Sequence, residues 1–292
     1  GVLVTLDTLE AVVDEAIENQ CNLIISFHPI IFKGLKKITG KTYVERVLIK
    51  AIKHKIAIYA IHTALDNAFE GANAGLCDLL GLKNKAILIP QAGTIKQLTT
   101  YVPEKDADAT RTALFACGAG SIGNYTDCSF NSTGTGTFKG NEHSNPVIGA
   151  KHELQKVSET KITVSFAKHL ENDVLKALFS THPYEEVPYE VVTLENKNQH
   201  IGMGMVGLLE QPMDGASFIN LLKSRLNSSV IRHSELLETP IQKVAVLGGS
   251  GSFAIEAAKA VGADAFVTAD LKYHDFFSAE NKIVLADVGH YE

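Results

Sequence analysis

The segment NLIISFHP, residues 22–29, contains the pattern on which the fold prediction depends. Residues 22–25 form a short apolar run that suits a buried strand, and polar residues including His28 follow it directly. Pro29 favours extended backbone at His28, because its ring disfavours the helical conformation of the preceding residue. We therefore expect His28 to lie where a buried strand meets solvent.

Two other segments repeat this pattern far away in the sequence. The apolar run 56–61 is followed by HTALD (residues 62–66), and the run 283–286 is followed shortly by GHYE (residues 289–292). If the three strands belong to one sheet, their carboxyl ends bring an imidazole, a carboxylate and a second imidazole to one crevice, where open α/β sheets bind ligands. Imidazole nitrogen and carboxylate oxygen suit zinc, iron or manganese.

The remaining periodicity predicts the fold class. Residues 1–94 alternate between strand-like runs and helical stripes, and the same rhythm returns over residues 200–292. This alternation is typical of an α/β fold, with a mostly parallel sheet flanked by helices. We expect the two segments to share one sheet and to form a single discontinuous metal-binding domain.

Residues 95–199 have a different character. An alternating strand at 96–103 and an amphipathic helix at 106–117 precede a stretch rich in Gly, Ser, Asn and Thr over 118–145. A second strand–helix–strand unit then ends near residue 194. Two such units in about a hundred residues predict an α+β domain of ferredoxin-like type, inserted into the first domain.

Composition excludes several classes of protein. The chain has 292 residues and a net charge of −6, which argues against a general nucleic-acid binder. No apolar run is long enough to span a bilayer, and we see no signal peptide. The four cysteines have no CxxC spacing, so we expect reduced, mostly buried thiols and a cytoplasmic location. Both ends of the sequence suggest that it is part of a longer protein.

Each candidate ligand has two readings when it is taken alone. His28 is either a metal ligand or a structural histidine with satisfied hydrogen bonds, and His290 has the same alternatives. His62 and Asp66 stand four residues apart, so in a first helical turn they share a face; otherwise they cap the helix or bond locally. All three clusters are predicted to follow strands, and this coincidence favours a functional role over a structural one.

Three further motifs leave alternatives open. A glycine-rich segment between a predicted strand and a predicted helix contains Gly248, Gly249, Ser250 and Gly251. It is either a loop that binds an anion or a tight turn without a ligand. The segment that contains Asp270 and His274 follows another strand, and supplies either acid–base chemistry or an exposed helix start. HPYEE, residues 182–186, favours a turn or an interface.

These motifs resemble those of the Nif-three-like family, often labelled GTP cyclohydrolase I type 2. The segments IISFHPIIF (24–32) and AIHTALD (60–66) are similar to its two N-terminal motifs. Residues 268–274 and 289–292 are similar to its two C-terminal segments. The middle of the chain also matches, through GAGSIGNY (118–125) and HPYEEV (182–187), so the resemblance covers nearly the whole sequence.

The resemblance implies a dinuclear metal centre in which His28, Asp66 and His290 are ligands, with one or two ions per chain. Phe27 stands where the family often has a second histidine. A bridging glutamate is expected four residues after His290, beyond Glu292. The resemblance also implies a homohexameric ring with its metal sites facing an internal cavity, and an insert of the PII and CutA type.

Two functions follow from these expectations. The first is metal-dependent hydrolysis of a small molecule, such as a nucleotide or phosphoester. In that case His62, Asp270 or His274 would move protons, and the loop from Gly248 would hold a phosphate. The second is a metal-binding regulator or scaffold without turnover, in which the inserted domain senses a ligand.

Overall fold

The structure is a computed structural model that describes residues 1–290, so Tyr291 and Glu292 of the last polar cluster lie outside the described residues. The chain divides into two compact units. The first contains Gly1–Ile89 together with the segment that begins at His200, and the second contains Pro90–Gln199. Each unit has its own sheets, helices and apolar core.

The described strands are, in chain order, β1 (Val2–Thr5), β2 (Leu23–Ser26), β3 (Ala57–Ala60), β4 (Lys83–Gln91), β5 (Ile95–Pro103), β6 (Phe130–Lys139), β7 (Leu154–Ala167), β8 (Tyr189–Leu194), β9 (Asn198–Met213), β10 (Arg232–His233), β11 (Ile241–Ser250), β12 (Ala265–Ala269) and β13 (Val284–Asp287). The α-helices are α1 (Glu10–Glu18), α2 (Tyr43–Lys53), α3 (Thr63–Asp66), α4 (Ala72–Leu79), α5 (Ala107–Ala116), α6 (Glu171–Thr181), α7 (Gly215–Leu226) and α8 (Ile255–Ala260). Among the 3-10 turns, one spans Tyr273–Ala279.

The first unit contains a small parallel sheet in the order β1-β2-β3. The crossovers between its strands carry α1 and α2, whose apolar stripes pack on Ile24 of β2. Val13 on α1 and Val47 on α2 are fully buried in this core. Val4 and Tyr59 are exposed, so helices cover this sheet on one face.

The first unit also contains a six-stranded sheet in the order β10-β13-β12-β11-β9-β4. β11, β12 and β13 are parallel neighbours, whereas β9 runs antiparallel to β11 and β10 antiparallel to β13. Along β11, Val244 and Val246 pack with α4 and α7, and the alternate residues Ala245 and Leu247 pack with α8. The sheet is therefore covered by helices on both faces, as parallel strands require.

The prediction of one mostly parallel sheet is wrong in two respects. The N-terminal strands β1 to β3 pair with one another and form a sheet of their own, and the larger sheet is mixed. An apolar run indicates a strand, but the run does not specify the neighbour that takes its backbone hydrogen bonds. β4 and β9, which the periodicity did not predict, complete the larger sheet beside β11.

The second unit contains four antiparallel strands in the order β6-β7-β5-β8. Its elements follow one another as β-α-β-β-α-β, the order of the split βαβ motif. α5 and α6 pack on one face of the sheet through Leu98, Leu114, Ile162 and Leu178, all of which are fully buried. The stretch of residues 118–145, expected to contain strand-like pieces, supplies β6.

Within residues 1–290, no helix is both long enough and apolar enough to cross a lipid bilayer.

Candidate metal centre

His28 lies just after the carboxyl end of β2, and Asp7 lies just after the end of β1. Because these strands are parallel neighbours, both side chains follow the same edge of the small sheet. His28 Nδ1 is 2.9 Å from Asp7 Oδ1. With Nδ1–H donating to the carboxylate, Nε2 keeps its lone pair free, which is how metal-binding histidines are commonly held.

His290 and Asp270 repeat this arrangement at the edge of the larger sheet. Asp270 follows β12 and His290 follows β13, and the two strands are parallel neighbours. His290 Nδ1 is 2.6 Å from Asp270 Oδ2, so its Nε2 is also left free. Asp270 has a φ of 57°, in the left-handed region that most residues avoid. Such strained positions concentrate at functional sites.

Asp287, the last residue of β13, holds the segments that carry both members of this pair. Its carboxylate accepts hydrogen bonds from the N–H groups of Leu271, at 2.9 Å, and Gly289, at 3.1 Å. Arg232 on β10 also donates to it. Since Asp287 is only 4% exposed, these donors satisfy a buried carboxylate and fix the backbone next to Asp270 and His290.

Asp66 ends the short helix α3, which begins directly after His62. His62 has a φ of 40°, a second non-glycine residue in the left-handed region at a strand end. Burial raises the pKa of the Asp66 carboxyl, while the positive charges that His62, His28 and His290 can carry act in the opposite direction. The Asp66 side chain therefore lies near all three imidazoles.

The predicted ligands thus come together from three separate parts of the sequence. The ring centres of His28 and His290 are 5.4 Å apart, and those of His28 and His62 are 6.0 Å apart. Phe27 makes T-shaped ring contacts with His28 and His62, at the position where the resemblance suggested a further histidine. Among residues 1–290, no three His, Cys, Asp or Glu side chains are already spaced to hold one ion.

His274, the remaining proton-transfer candidate, has no ring contact with His28, His62 or His290 within residues 1–290. It is exposed on the 3-10 turn Tyr273–Ala279, and its ring contacts are with Tyr273 and Phe277 of the same turn. The aromatic residues around it belong to its own local segment, so proximity in sequence to Asp270 did not bring His274 to the imidazoles.

The glycine-rich segment ends β11 and does not form a loop before a long helix. β11 continues to Ser250, and α8 has only six residues. The N–H of Gly248 donates to Asn73 Oδ1 at 2.8 Å. A Cβ on Gly251 would lie 2.1 Å from Thr268 Oγ1, so the backbone here packs tightly on β12. The Gly248 N–H is therefore occupied and does not point freely towards a ligand.

A small pocket of about 230 Å³ adjoins His290. Its lining includes Gly248, Gly249 and Thr268, together with Leu76 and Leu79 of α4. A Cβ on Gly249 would lie 3.5 Å from His290 Cε1. That distance is an ordinary contact, so the imidazole does not exclude a side chain; glycine suits this position because its φ is 73°.

The sequence analysis did not single out two residues that position the cluster. Asp7 ends the apolar run of β1, so the strand-end rule that identified His28 applies to it as well. Asn73 is 1% exposed; its amide donates to the Asp66 carbonyl oxygen at 3.0 Å and its oxygen accepts from Gly248. Nothing in the local sequence marks Asn73, because both of its partners are defined by tertiary structure.

These features define a class: an α/β protein with imidazole–carboxylate pairs collected at the ends of parallel strands. The family model of Duf34/NIF3 (NGG1p interacting factor 3) matches residues 1–292, and the chain belongs to this family. The resemblance inferred from the motifs is confirmed.

Relatives and solved structures agree with this assignment. The chain is 43% identical over 274 residues to a protein of Halalkalibacterium halodurans, covering 94% of this chain and 74% of the relative. It is 40% identical to a protein of Bacillus subtilis, and the match covers 100% of this chain and 79% of that relative. Both are named GTP cyclohydrolase 1 type 2 homolog. The crystal structure of a Bacillus cereus protein related to NIF3 superposes with a TM-score of 0.85 at 40% identity, covering 99% of this chain and 78% of that one. These matches confirm the mixed α/β fold.

Proposed function

We propose that this protein is a metal-dependent hydrolase of a nucleotide or another phosphoester. The observation that carries the proposal is the meeting of His28, Asp66 and His290, two of which have Nδ1 held by a carboxylate. This leaves the Nε2 atoms of both imidazoles without a protein partner among residues 1–290, and the Asp66 carboxylate lies close enough to feel the charge of both rings. The donors suit zinc, iron or manganese, in one or two sites, because these ions accept both imidazole nitrogen and carboxylate oxygen.

A cation held by these residues would supply Lewis-acid chemistry and would lower the pKa of water. The chain's own residues have separate tasks. Asp7 and Asp270 fix the tautomer and the ring orientation of their histidines. The ring centre of His62 is 6.0 Å from that of His28. His62 would accept a proton from water and release it to a leaving group, as general acid–base catalysis requires.

The names of the relatives support a nucleotide substrate, since both are called GTP cyclohydrolase 1 type 2 homolog. The pocket beside His290 would take a small part of that substrate. The resemblance further suggests a homohexamer with its sites facing an internal cavity. Light scattering on the full chain tests that assembly separately from activity.

The deciding experiment compares Asp66→Ala with Asp78→Ala. Asp78 is an exposed carboxylate that pairs with Lys85 at 2.7 Å, away from the imidazoles. Elemental analysis of the purified proteins gives the metal content. Turnover of GTP and of bis(p-nitrophenyl) phosphate is then measured on the same samples. We expect Asp66→Ala to lose most of its metal and its turnover, and Asp78→Ala to keep both. Unchanged metal content in Asp66→Ala would refute the ligand set.

A second candidate is a metal-binding regulator in which the second unit senses a ligand. Its β-α-β-β-α-β order supports comparison with small signalling domains of the PII and CutA type. Retained metal with no hydrolysis of either substrate would favour this function over the hydrolase.

A further inference from the structure

A positively charged loop connects β2 to α2 and starts next to the imidazole cluster. Residues 30–41, named the basic loop below, contain Lys33, Lys36, Lys37 and Lys41 and no Asp or Glu, although the whole chain has a net charge of −6. The basic loop contains no helix or strand. Long irregular loops in compact domains are usually functional, and a local excess of positive charge attracts anions.

Phe32 holds the basic loop against the cluster. Its ring centre is 6.3 Å from that of His62, in a T-shaped contact, and the ring of His62 lies 6.0 Å from that of His28. Phe32 is 75% exposed, so most of its surface is open to solvent beside the imidazoles. Lys33 follows Phe32 directly, and its long flexible stem therefore begins next to His62.

The basic loop is fixed at its two ends. At the near end, the Ser26 hydroxyl donates to the His28 carbonyl oxygen at 2.9 Å. At the far end, the buried Glu45 carboxylate accepts the N–H and the hydroxyl of Thr39, both at 2.6 Å, and the N–H of Lys41 at 3.1 Å. Within the described structure, residues 30–38 make no hydrogen bond to the rest of the chain. This middle part can adjust to a ligand at little cost.

The lysines of the basic loop are not paired inside the protein. Over residues 1–290, no carboxylate lies within ion-pairing distance of Lys33, Lys36 or Lys37, and all three are exposed. The N–H of Gly248 is occupied by a side chain of the protein, so the glycine-rich segment does not supply the expected phosphate donors. The ammonium groups of the basic loop are donors that phosphate oxygens prefer.

We propose that the basic loop binds the phosphate chain of the substrate through Lys33, Lys36 and Lys37. The inference rests on the proposed function for the reaction itself, and it adds which residues select the substrate. The loop joins the imidazole cluster at His28 and His62, so phosphates bound to it lie next to the proposed metal ligands. The site therefore favours an oligophosphate ester over a neutral compound with the same body.

The test measures binding of tripolyphosphate and of GTP to the full chain by isothermal titration calorimetry. The loop variant carries Lys33→Gln, Lys36→Gln and Lys37→Gln together. Loss of three charge-assisted contacts should weaken the binding of both probes at least about 10-fold and reduce its dependence on salt.

The control variant removes the same charge elsewhere in the first unit, through Lys53→Gln on α2, Lys83→Gln on β4 and Lys223→Gln on α7. These side chains are exposed or partly exposed. Their loss should change either affinity by less than about 3-fold, because salt screens distant surface charges. Arginine at the three loop positions keeps the charge and should retain most of the affinity.

Three outcomes would overturn the proposal: no measurable binding of either probe to the unsubstituted chain, equal binding to the loop variant, and an equal loss in the control variant. Single substitutions at the exposed loop positions keep the test decisive if the triple variant does not fold. Elemental analysis should show unchanged metal content in the loop variant. Loop-dependent binding without any turnover would refute the hydrolase and leave this proposal standing, so the two fail separately.

Discussion

His28 and His290 come from distant parts of the sequence, yet their ring centres lie 5.4 Å apart. Each ring has Nδ1 bonded to a carboxylate from the neighbouring parallel strand, Asp7 for His28 and Asp270 for His290. The same local device thus occurs on two different sheets of the first unit. Both rings have a fixed orientation before any ligand binds, which is what a preorganised site requires.

Asp7→Asn and Asp270→Asn should each weaken metal binding. An amide cannot hold the imidazole tautomer as a carboxylate does, and loss of such a partner typically lowers metal affinity about 10- to 100-fold. Competition with a chromophoric chelator measures this affinity. Asp14→Asn serves as the control, because Asp14 pairs with Lys50 on the helical side of the small sheet. Equal affinity in all three variants would show that these pairs do not serve a metal.

Asn73→Ala should destabilise the protein by about 1–3 kcal/mol, the cost of leaving buried polar groups unpaired. Its amide joins the Asp66 carbonyl to the Gly248 N–H, so the Asp66 segment should also lose its fixed position. Equilibrium urea unfolding measures the change in stability. Asn19→Ala, at an exposed helix end, should change it by less than about 0.5 kcal/mol.

Glu45→Gln should destabilise the protein in a pH-dependent way. The hydroxyl and the N–H of Thr39 donate to this carboxylate and lower its pKa from 4.5 to about 2. A lowered pKa in the folded state stabilises the protein above pH 4.5, and this contribution disappears as the pH falls towards 2. Thermal unfolding of both proteins at pH 7, 4 and 3 should show the difference shrinking. A stability difference that stays constant with pH would contradict a lowered pKa for Glu45. Glu18→Gln is the control and should show no pH-dependent difference in stability.

Cys77 should resist alkylation in the folded protein. The residue is fully buried, and burial raises the pKa of its thiol to about 12. At pH 8 its thiolate fraction is about a thousandfold below that of an ordinary cysteine, and the thiolate is the reactive form. Mass spectrometry after iodoacetamide treatment should show modification of the partly exposed Cys21 and none of Cys77 until denaturant is added. Comparable rates at the two positions would contradict this burial.

The local pattern of apolar residues was sufficient to predict most of the helices and strands. The predicted helix that begins at residue 43 and the strand that ends at Pro103 both appear, because each carries a clear apolar period. β4 and β9 were missed, since their apolar residues do not alternate simply. The sequence pattern does not predict which strands pair, so it did not predict the division of the first unit into two sheets.

The sequence by itself determined the alternation of elements, the family and the strand-end positions of His28 and His290, because short-range periodicity and turn residues encode these features. Only the tertiary structure decided which strands pair, that Asn73 occupies the Gly248 N–H, and that His274 stays apart. It also placed Phe32 of the basic loop beside His62. These relationships join residues remote in sequence, and their energies depend on burial and hydrogen bonds that form only when the chain packs.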